Sequence, residues 1–199
     1  MLRWTSGVLA SLLVCAGPSL AQDLWLTPEL PELRLAINGQ EVVISREGAG
    51  LSCPPMCVQP IRMAPGVVSF GALEVIGFLA NDLARREGLV LDVRLPDAYG
   101  RGHVPGAVNV PEPTLSGENP LQRDILLALG VREAEGALEF SRAPVLVIYG
   151  QDAMDGRAIE ALRHVMSAGY PAEKLRYFRG GFQEWQLFGL TEGSVKAPG

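Results

Sequence analysis

The chain has 199 residues, about the length of one globular domain, and its 48% apolar content is enough to bury a core. Its formal net charge is −5, without a cluster of lysine or arginine, which argues against nucleic acid or an anionic membrane as a partner. The sequence contains neither internal repeats nor low-complexity segments.

Residues 1–21 are predicted to be a secretory signal peptide. Arg3 supplies a positive start, residues 8–16 form a short apolar run, and Ser19 and Ala21 are small residues that suit cleavage after Ala21. The apolar run is too short for a spanning helix of about 20 residues, although an uncleaved anchor is the alternative. We therefore expect a periplasmic or secreted protein that has no membrane contact after cleavage and, having lost Arg3, a net charge of −6.

Cleavage would leave one cysteine pair, Cys53 and Cys57, because Cys15 lies within the signal peptide. An exported protein with one close pair is expected to hold it as a disulfide or to use it in redox or metal chemistry. The C-x3-C spacing around Met56 is a soft ligand set that would suit Cu(I), but both histidines are distant in the sequence. We predict a disulfide or redox pair and no bound metal or cofactor.

Residues 22–66 are predicted to be an N-terminal extension. Two apolar runs, 33–37 and 42–44, flank Asn38-Gly39, a dipeptide that indicates a two-residue β-hairpin turn. The turn Cys53-Pro-Pro-Met-Cys57 follows, and later prolines keep the chain extended as far as residue 66. The extension therefore combines a hairpin with a Cys-Pro-rich turn.

From residue 67 the pattern alternates between strands and helices. Apolar runs predict strands at 67–69, 89–93, 144–149 and 175–178, and helical spacing predicts helices at 72–86, 121–129 and 157–168, with a short helix after Gly180. This alternation favours an α/β fold in which helices cover both faces of a parallel sheet. The predicted domain spans residues 67–190, and residues 191–199 form a tail.

Two segments of this domain resemble the rhodanese family. Residues 89–111 read LVLDVRLPDAYGRGHVPGAVNVP, where the family has D-V-R-x-P-x-E-[YF]-x-x-G-H-[IV]-P-G-A-[IV]-N-[IVL]-P, and Ala98 stands where an acidic residue is common. Residues 177–190, YFRGGFQEWQLFGL, are similar to the family's C-terminal segment. The resemblance covers about residues 67–190 and implies a rhodanese-like sulfurtransferase fold.

The resemblance also implies roles for individual side chains. Asp92, Arg94 and His103 would form the scaffold near the pocket and hold the shape of the G-H-V-P-G-A turn. His164 lies in the middle of a predicted helix, where we expect it on the helix surface. None of these residues is predicted to be catalytic.

Active family members carry a cysteine loop, C-x-x-G-x-[RS], after the buried strand that corresponds to residues 144–149. A nest of N–H groups and a helix N-terminus there would stabilise an anionic persulfide. The equivalent loop here comprises Gly150, Gln151, Asp152, Ala153, Met154, Asp155, Gly156 and Arg157. Gly150 replaces the cysteine, and residues 150–158 contain no Cys, Ser, Thr or His.

Asp152 and Asp155 would each oppose a bound dianion by ~1 kcal/mol or more, and Arg157 would offset one of them. We therefore predict a pseudoenzyme: an exported rhodanese-like domain without thiosulfate sulfurtransferase activity. Such a domain would act as a binding or scaffold module for an unidentified protein or a small anion or thiol. The alternative is a sulfur- or redox-handling protein, or a Cu(I)-binding one, that uses Cys53 and Cys57. In one form of it, the extension folds back to bring Cys57 to the vacant loop.

Overall fold

The computed structural model describes residues 26–46 and 52–194. The predicted signal peptide and residues 195–199 of the tail lie outside these described residues. Among the described residues, no helix is both long enough and apolar enough to cross a membrane.

The extension contains the predicted β-hairpin. Strands β1 (Leu33–Ile37) and β2 (Gln40–Ile44) pair antiparallel. Asn38 and Gly39 between them have φ angles of 51° and 79°, and two positive values in succession are what a type I′ turn requires. The Asn-Gly signal in the sequence therefore identified this turn correctly.

A five-stranded parallel sheet forms the centre of the domain. The remaining strands are β3 (Val68–Phe70), β4 (Gly88–Asp92), β5 (Val108–Asn109), β6 (Arg132–Ala134), β7 (Ala137–Glu139), β8 (Val145–Tyr149) and β9 (Leu175–Phe178). The order in the sheet is β3-β9-β8-β4-β5, with every neighbouring pair parallel, whereas β6 and β7 form a separate hairpin. Strand β8 lies in the middle and is buried from residue 146 to residue 149, which explains its uninterrupted apolar sequence.

Helices cover both faces of this sheet. They are α1 (Ala72–Phe78), α2 (Pro96–Arg101), α3 (Gln122–Ala128), α4 (Arg157–Ser167) and α5 (Gly181–Leu187). One hydrophobic cluster joins the sheet to α3 and α4 through residues such as Leu126 and Leu162. The other joins it to α1 and α5 through residues such as Val75 and Trp185. The predicted α/β architecture is confirmed, and its central strands begin and end within one residue of the predicted positions.

Three elements differ from the prediction. Helix α2 was not predicted; its signal is Pro96 at the first helical position with Asp97 in the first turn. The predicted helix 72–86 changes at Leu79–Leu83 into a π-helical turn. The hairpin β6–β7 was missed because its turn begins with Glu135 at a φ of 52°, a conformation that glutamate rarely adopts.

Candidate functional site

The candidate site lies at the carboxyl edge of the parallel sheet, where β8 ends and α4 begins. Ligands bind at this edge in open α/β sheets because loops and helix N-termini meet there. Tyr149 is the last residue of β8, Gly156 is the N-cap of α4, and residues 150–156 connect them. The chemistry available at the site therefore depends on what this loop presents.

The carboxylate of Asp155 fills the interior of the loop. Asp155 is buried, and its Oδ2 accepts a hydrogen bond from the backbone N–H of Gln151 at 2.9 Å. Its Oδ1 accepts another from the N–H of Arg157 at 3.1 Å, and Nη1 of Arg157 lies 3.3 Å from Oδ2. The loop N–H groups and the start of α4 thus already hold an anion that belongs to the chain itself.

Asp152 has a different role in the same loop. Its Oδ1 accepts hydrogen bonds from the N–H groups of Met154 at 2.7 Å and Asp155 at 3.1 Å, an Asx-type turn that shapes the backbone. Both loop carboxylates are therefore bonded to the protein's own N–H groups, where the sequence suggested two charges facing an incoming anion.

Gly150 stands directly beside the buried carboxylate. A Cβ atom at this position would lie 2.8 Å from Oδ2 of Asp155 and 3.3 Å from its Cγ. Contacts below 3.0 Å are essentially never made by real Cβ atoms, so a side chain at position 150 requires Asp155 to move. The absence of a side chain at position 150 and the presence of Asp155 are thus coupled.

Helix α5 holds the loop from the other side. The carbonyl oxygens of Gly150 and Gln151 accept hydrogen bonds from the N–H groups of Phe182 at 3.1 Å and Gln183 at 2.8 Å. This approach is close enough that a Cβ on Gly181 would lie 2.6 Å from the carbonyl oxygen of Gly150. The loop is consequently fixed between the N-terminal ends of two helices.

Asp92 and Arg94 form a buried ion pair beneath the loop. Nε of Arg94 lies 2.9 Å from Oδ1 of Asp92, and Nη2 lies 2.6 Å from Oδ2. The same guanidinium donates to the carbonyl of Gly102 at 2.7 Å and to Oε1 of Gln151 at 3.1 Å, and it stacks over the ring of Phe182. The pair joins the end of β4 to the loop. This placement agrees with the structural role near the pocket that the family resemblance implies.

Tyr149 belongs to this network, although the sequence did not single it out. Its hydroxyl donates to Oδ2 of Asp92 at 2.7 Å and accepts the N–H of Val104 at 3.0 Å. Burial, and after it the charge of Asp92, raises the pKa of Tyr149 above its usual value, so that the phenol stays a neutral donor. The available signal was a tyrosine ending a strand that pairs with the strand carrying Asp92.

Tyr177 of β9 is buried behind the loop and was also missed. Its hydroxyl has no hydrogen-bond partner among the described residues. Burial raises the pKa of Tyr177 to about 12, and the charges of Arg179, Asp155 and Asp152 also act on it. A buried hydroxyl without a partner is uncommon, and its removal should therefore be favourable or neutral for stability.

The two histidines lie apart from the loop. His103 is buried, stacks on the ring of Tyr99, and donates from Nδ1 to the carbonyl of Tyr99 at 3.0 Å. Its backbone pairs with that of Gly193. These contacts fit a scaffold role.

The prediction of a surface position for His164 is wrong, because the 3-10 turn Glu112–Leu115 packs over this part of α4. His164 is half-buried, with its Nε2 3.0 Å from Oε1 of Glu112.

The extension folds back onto the loop. Cys53 and Cys57 form a disulfide, and both residues are buried. Two residues further on, the N–H of Gln59 donates to the carbonyl of Ala153 in the loop at 2.9 Å, while Nε of Arg179 donates to the carbonyl of Gln59 at 2.9 Å. The sequence contains no local signal for this contact, since the two segments lie almost a hundred positions apart.

A pocket of about 880 Å³ lies between the extension and the start of α4. Its lining includes Met56 and Cys57 on the side of the extension, and Asp155, Arg157 and Glu160 on the side of the domain. Cys57 is thus brought to the loop's pocket, but its sulfur is bonded to Cys53. Within residues 26–46 and 52–194, no group of three or more His, Cys, Asp or Glu side chains could hold a metal ion.

The strand order, the loop after the central strand and the helix that begins at that loop define a rhodanese-type α/β domain. The family model for the rhodanese-like domain matches residues 78–187, more than half of the chain. The chain therefore belongs to the rhodanese-like domain family. No curated protein matches the sequence.

Several solved structures are similar to the chain. Thiosulfate sulfurtransferase from Pseudomonas aeruginosa is 24% identical with a TM-score of 0.46, and the match covers 66% of this chain and 21% of that protein. A rhodanese-related protein from Thermoplasma volcanium is 18% identical with a TM-score of 0.43, and the match covers 64% of this chain and 99% of that one. The chain thus spans about a fifth of the Pseudomonas protein, and the fold assignment rests on its own strand order and the family match.

Proposed function

We propose that this rhodanese-like domain is an exported binding module that does not transfer sulfur at the loop of residues 150–157. The observation that carries the proposal is the Asp155 carboxylate bonded to the N–H groups of Gln151 and Arg157 beside Gly150. A persulfide at position 150 would need the same N–H groups to stabilise its charge. The loop has neither the nucleophile nor a vacant anion site.

The pocket beside the loop is the binding surface that we assign. The extension contributes prolines, Met56 and Val58 to its wall, so this side is mainly apolar. The charged side chains on the other side are paired within the protein: Glu160 with Arg163, Asp155 with Arg157, and Glu112 with His164. Since Arg157 and Arg163 are already paired with carboxylates, the pocket suits a small free anion poorly, whereas its apolar wall suits the apolar side chains of a polypeptide partner.

Export is supported by the signal-like N-terminus and by the disulfide, which persists in oxidising compartments. The mass of the protein purified from a periplasmic or secreted fraction should correspond to a chain that begins at Gln22. A full-length chain recovered from the cytosol with reduced cysteines would contradict this part of the proposal.

A thiosulfate:cyanide assay tests the absence of sulfur transfer. The wild-type protein and the double variant Cys53→Ala/Cys57→Ala should both form thiocyanate no faster than buffer does. Turnover that survives in the double variant would overturn the proposal, because the mature chain would then transfer sulfur without either of its cysteines and the loop would be the remaining candidate for the catalysis.

A second candidate function is sulfur or redox handling by Cys53 and Cys57. It is favoured by one observation: Cys57 lines the same pocket as Asp155. Sulfur transfer by a thiolate and Cu(I) binding need free thiols, whereas the two sulfurs form a disulfide in the structure. Wild-type turnover that disappears in the double cysteine variant would support this candidate, because it would assign the activity to the cysteines of the extension and not to the loop.

A further inference from the structure

The Cys53–Cys57 disulfide is the buried part of the segment that packs on the loop. We call residues 52–60 the strap. From residue 52 to residue 66, the only buried residues are Cys53 and Cys57, and every other residue is half-buried or exposed. The strap therefore has no apolar core besides the bonded sulfur pair.

Hydrogen bonds, rather than buried apolar side chains, attach the strap to the rest of the protein. The N–H of Val58 donates to the carbonyl of Leu26 at 2.9 Å, and the N–H of Gln59 donates to the carbonyl of Ala153 at 2.9 Å. Nη1 of Arg46 donates to the carbonyl of Met56 at 2.7 Å, and Nε of Arg179 donates to the carbonyl of Gln59 at 2.9 Å. Nε2 of Gln59 lies 3.5 Å from the carbonyl oxygen of Met154. A segment that is held by hydrogen bonds and buries little apolar surface is expected to open locally before the domain unfolds.

We propose that the Cys53–Cys57 disulfide keeps the strap docked on the loop of residues 150–157, and that reduction of the disulfide releases the strap. The disulfide closes a ring of five residues that ends two residues before Gln59. This ring limits the conformations of the undocked strap, so that less conformational entropy is lost when the N–H of Gln59 bonds to the carbonyl of Ala153. Opening the ring restores conformational freedom to the strap, while the bonds that attach it stay the same. The undocked state is thereby favoured.

The chemical step is a thiol–disulfide exchange with a dithiol reductant. One thiolate of the reductant attacks a sulfur of the pair, the S–S bond breaks, and a mixed disulfide forms; the second thiolate then displaces the protein sulfur. Cys53 and Cys57 gain two electrons and two protons and become thiols, and the reductant becomes a disulfide. Cys57 lines the pocket, which gives the reductant a route to the bond.

Release of the strap would remove one wall of the pocket that Met56 and Cys57 share with Arg157. In this consequence alone the inference rests on the proposed function, since the pocket is the binding surface assigned above. The pocket described here belongs to the oxidised protein, and reduction would take away its apolar wall and weaken the binding of a partner. The undocking itself is independent of what the pocket binds.

Hydrogen exchange of the mature protein, with and without dithiothreitol, tests the undocking. We expect the amides of Val58 and Gln59 to exchange about tenfold faster or more after reduction, while the amide of Val147 in β8 is unchanged. Unchanged exchange at Gln59 in the reduced protein would overturn the proposal. Loss of protection at Val147 as well would also overturn it, because the disulfide would then support the whole domain rather than the strap.

Two variants complete the test. Cys53→Ala/Cys57→Ala should show the fast exchange of the reduced protein at Gln59, with or without dithiothreitol. Ser52→Ala, a neighbouring change that keeps both cysteines, should respond to the reductant as the wild type does. Slow exchange at Gln59 in the double variant would contradict the proposal. Because no partner is needed for this measurement, its failure would leave the proposed binding function standing, and a failure to find a partner would leave the strap proposal standing.

Discussion

The contact between Gly150 and Asp155 determines what a new cysteine could do in the loop. We predict that Gly150→Cys alone does not form a persulfide with thiosulfate, because its Cβ would lie 2.8 Å from Oδ2 of Asp155 and the N–H groups are occupied. The double variant Gly150→Cys/Asp155→Ala should form it, since both obstacles are removed. Intact-mass measurement detects the added sulfur atom. Equal persulfide yields in the two variants would show that Asp155 does not block the position.

Removing the hydroxyl from each of two buried tyrosines should have opposite effects on the free energy of unfolding. Tyr177→Phe removes a hydroxyl without a hydrogen-bond partner among the described residues, so the free energy of unfolding should stay the same or rise by up to about 1 kcal/mol. Tyr149→Phe removes the donor to Asp92 and leaves the N–H of Val104 unpaired, which should cost about 2–3 kcal/mol. Urea denaturation of both variants measures the difference.

Tyr177 should also contribute to the alkaline instability of the protein. Its pKa is raised to about 12 by burial, whereas a tyrosine in the unfolded chain ionises near pH 10. Between these values the folded state binds the extra proton, so stability is fully present below about pH 10 and falls as the pH rises toward 12. We expect Tyr177→Phe to reduce this fall by about 1.4 kcal/mol per pH unit. Identical pH profiles for the variant and the wild type would contradict the expectation.

The ion pair between Arg94 and Asp92 should matter far more than an ion pair on the surface. Arg94→Met leaves the fully buried Asp92 without its counter-charge and should cost about 3–5 kcal/mol. The matched change Arg85→Met breaks the exposed pair with Glu87 and should cost less than about 1 kcal/mol. Denaturant midpoints of the two variants would distinguish these outcomes, and similar shifts would argue against a structural role for the buried pair.

Helix α5 begins in close contact with the loop. Gly181 has a φ of 60°, and a Cβ there would also meet the carbonyl oxygen of Gly150 at 2.6 Å. Gly181→Ala should therefore cost at least about 3 kcal/mol, from backbone strain and displacement of the loop. Gly189 is a matched control, with a φ of 64° but nothing within 4 Å of a Cβ, and Gly189→Ala should cost about 1–2 kcal/mol. Thermal or urea unfolding measures both, and equal costs would contradict the docking argument.

The elements that the sequence predicted well are those whose own residues determine them. Strand β8 was recognised because burial on both faces requires an unbroken apolar run, and the first hairpin because Asn38 and Gly39 suit two positive φ angles. Hairpin β6–β7 escaped because Glu135, an exposed residue, adopts such an angle although glutamate rarely does. Local chemistry thus predicted the strands of the sheet and the helices between them, but not a turn built on a residue that rarely adopts its conformation.

For the molecule as a whole, the candidate site was predicted in position but not in arrangement. The sequence located the loop after β8 and predicts that Gly150 takes the position of the family's cysteine. It did not reveal that Asp155 points inward to its own backbone, nor that Gln59 of the extension binds Ala153. Both facts depend on where a side chain and a distant segment settle after folding, which no periodicity or spacing encodes.

The coupling between Gly150 and Asp155 also constrains how this loop can change by single mutations. Introducing a cysteine first places its Cβ against a buried carboxylate. Removing Asp155 first leaves the N–H groups of Gln151 and Arg157 without their acceptor and lowers stability before any activity is gained. Each route to a sulfur-carrying loop therefore begins with a disadvantageous step. Selection acting on one substitution at a time would therefore keep the loop in its present form.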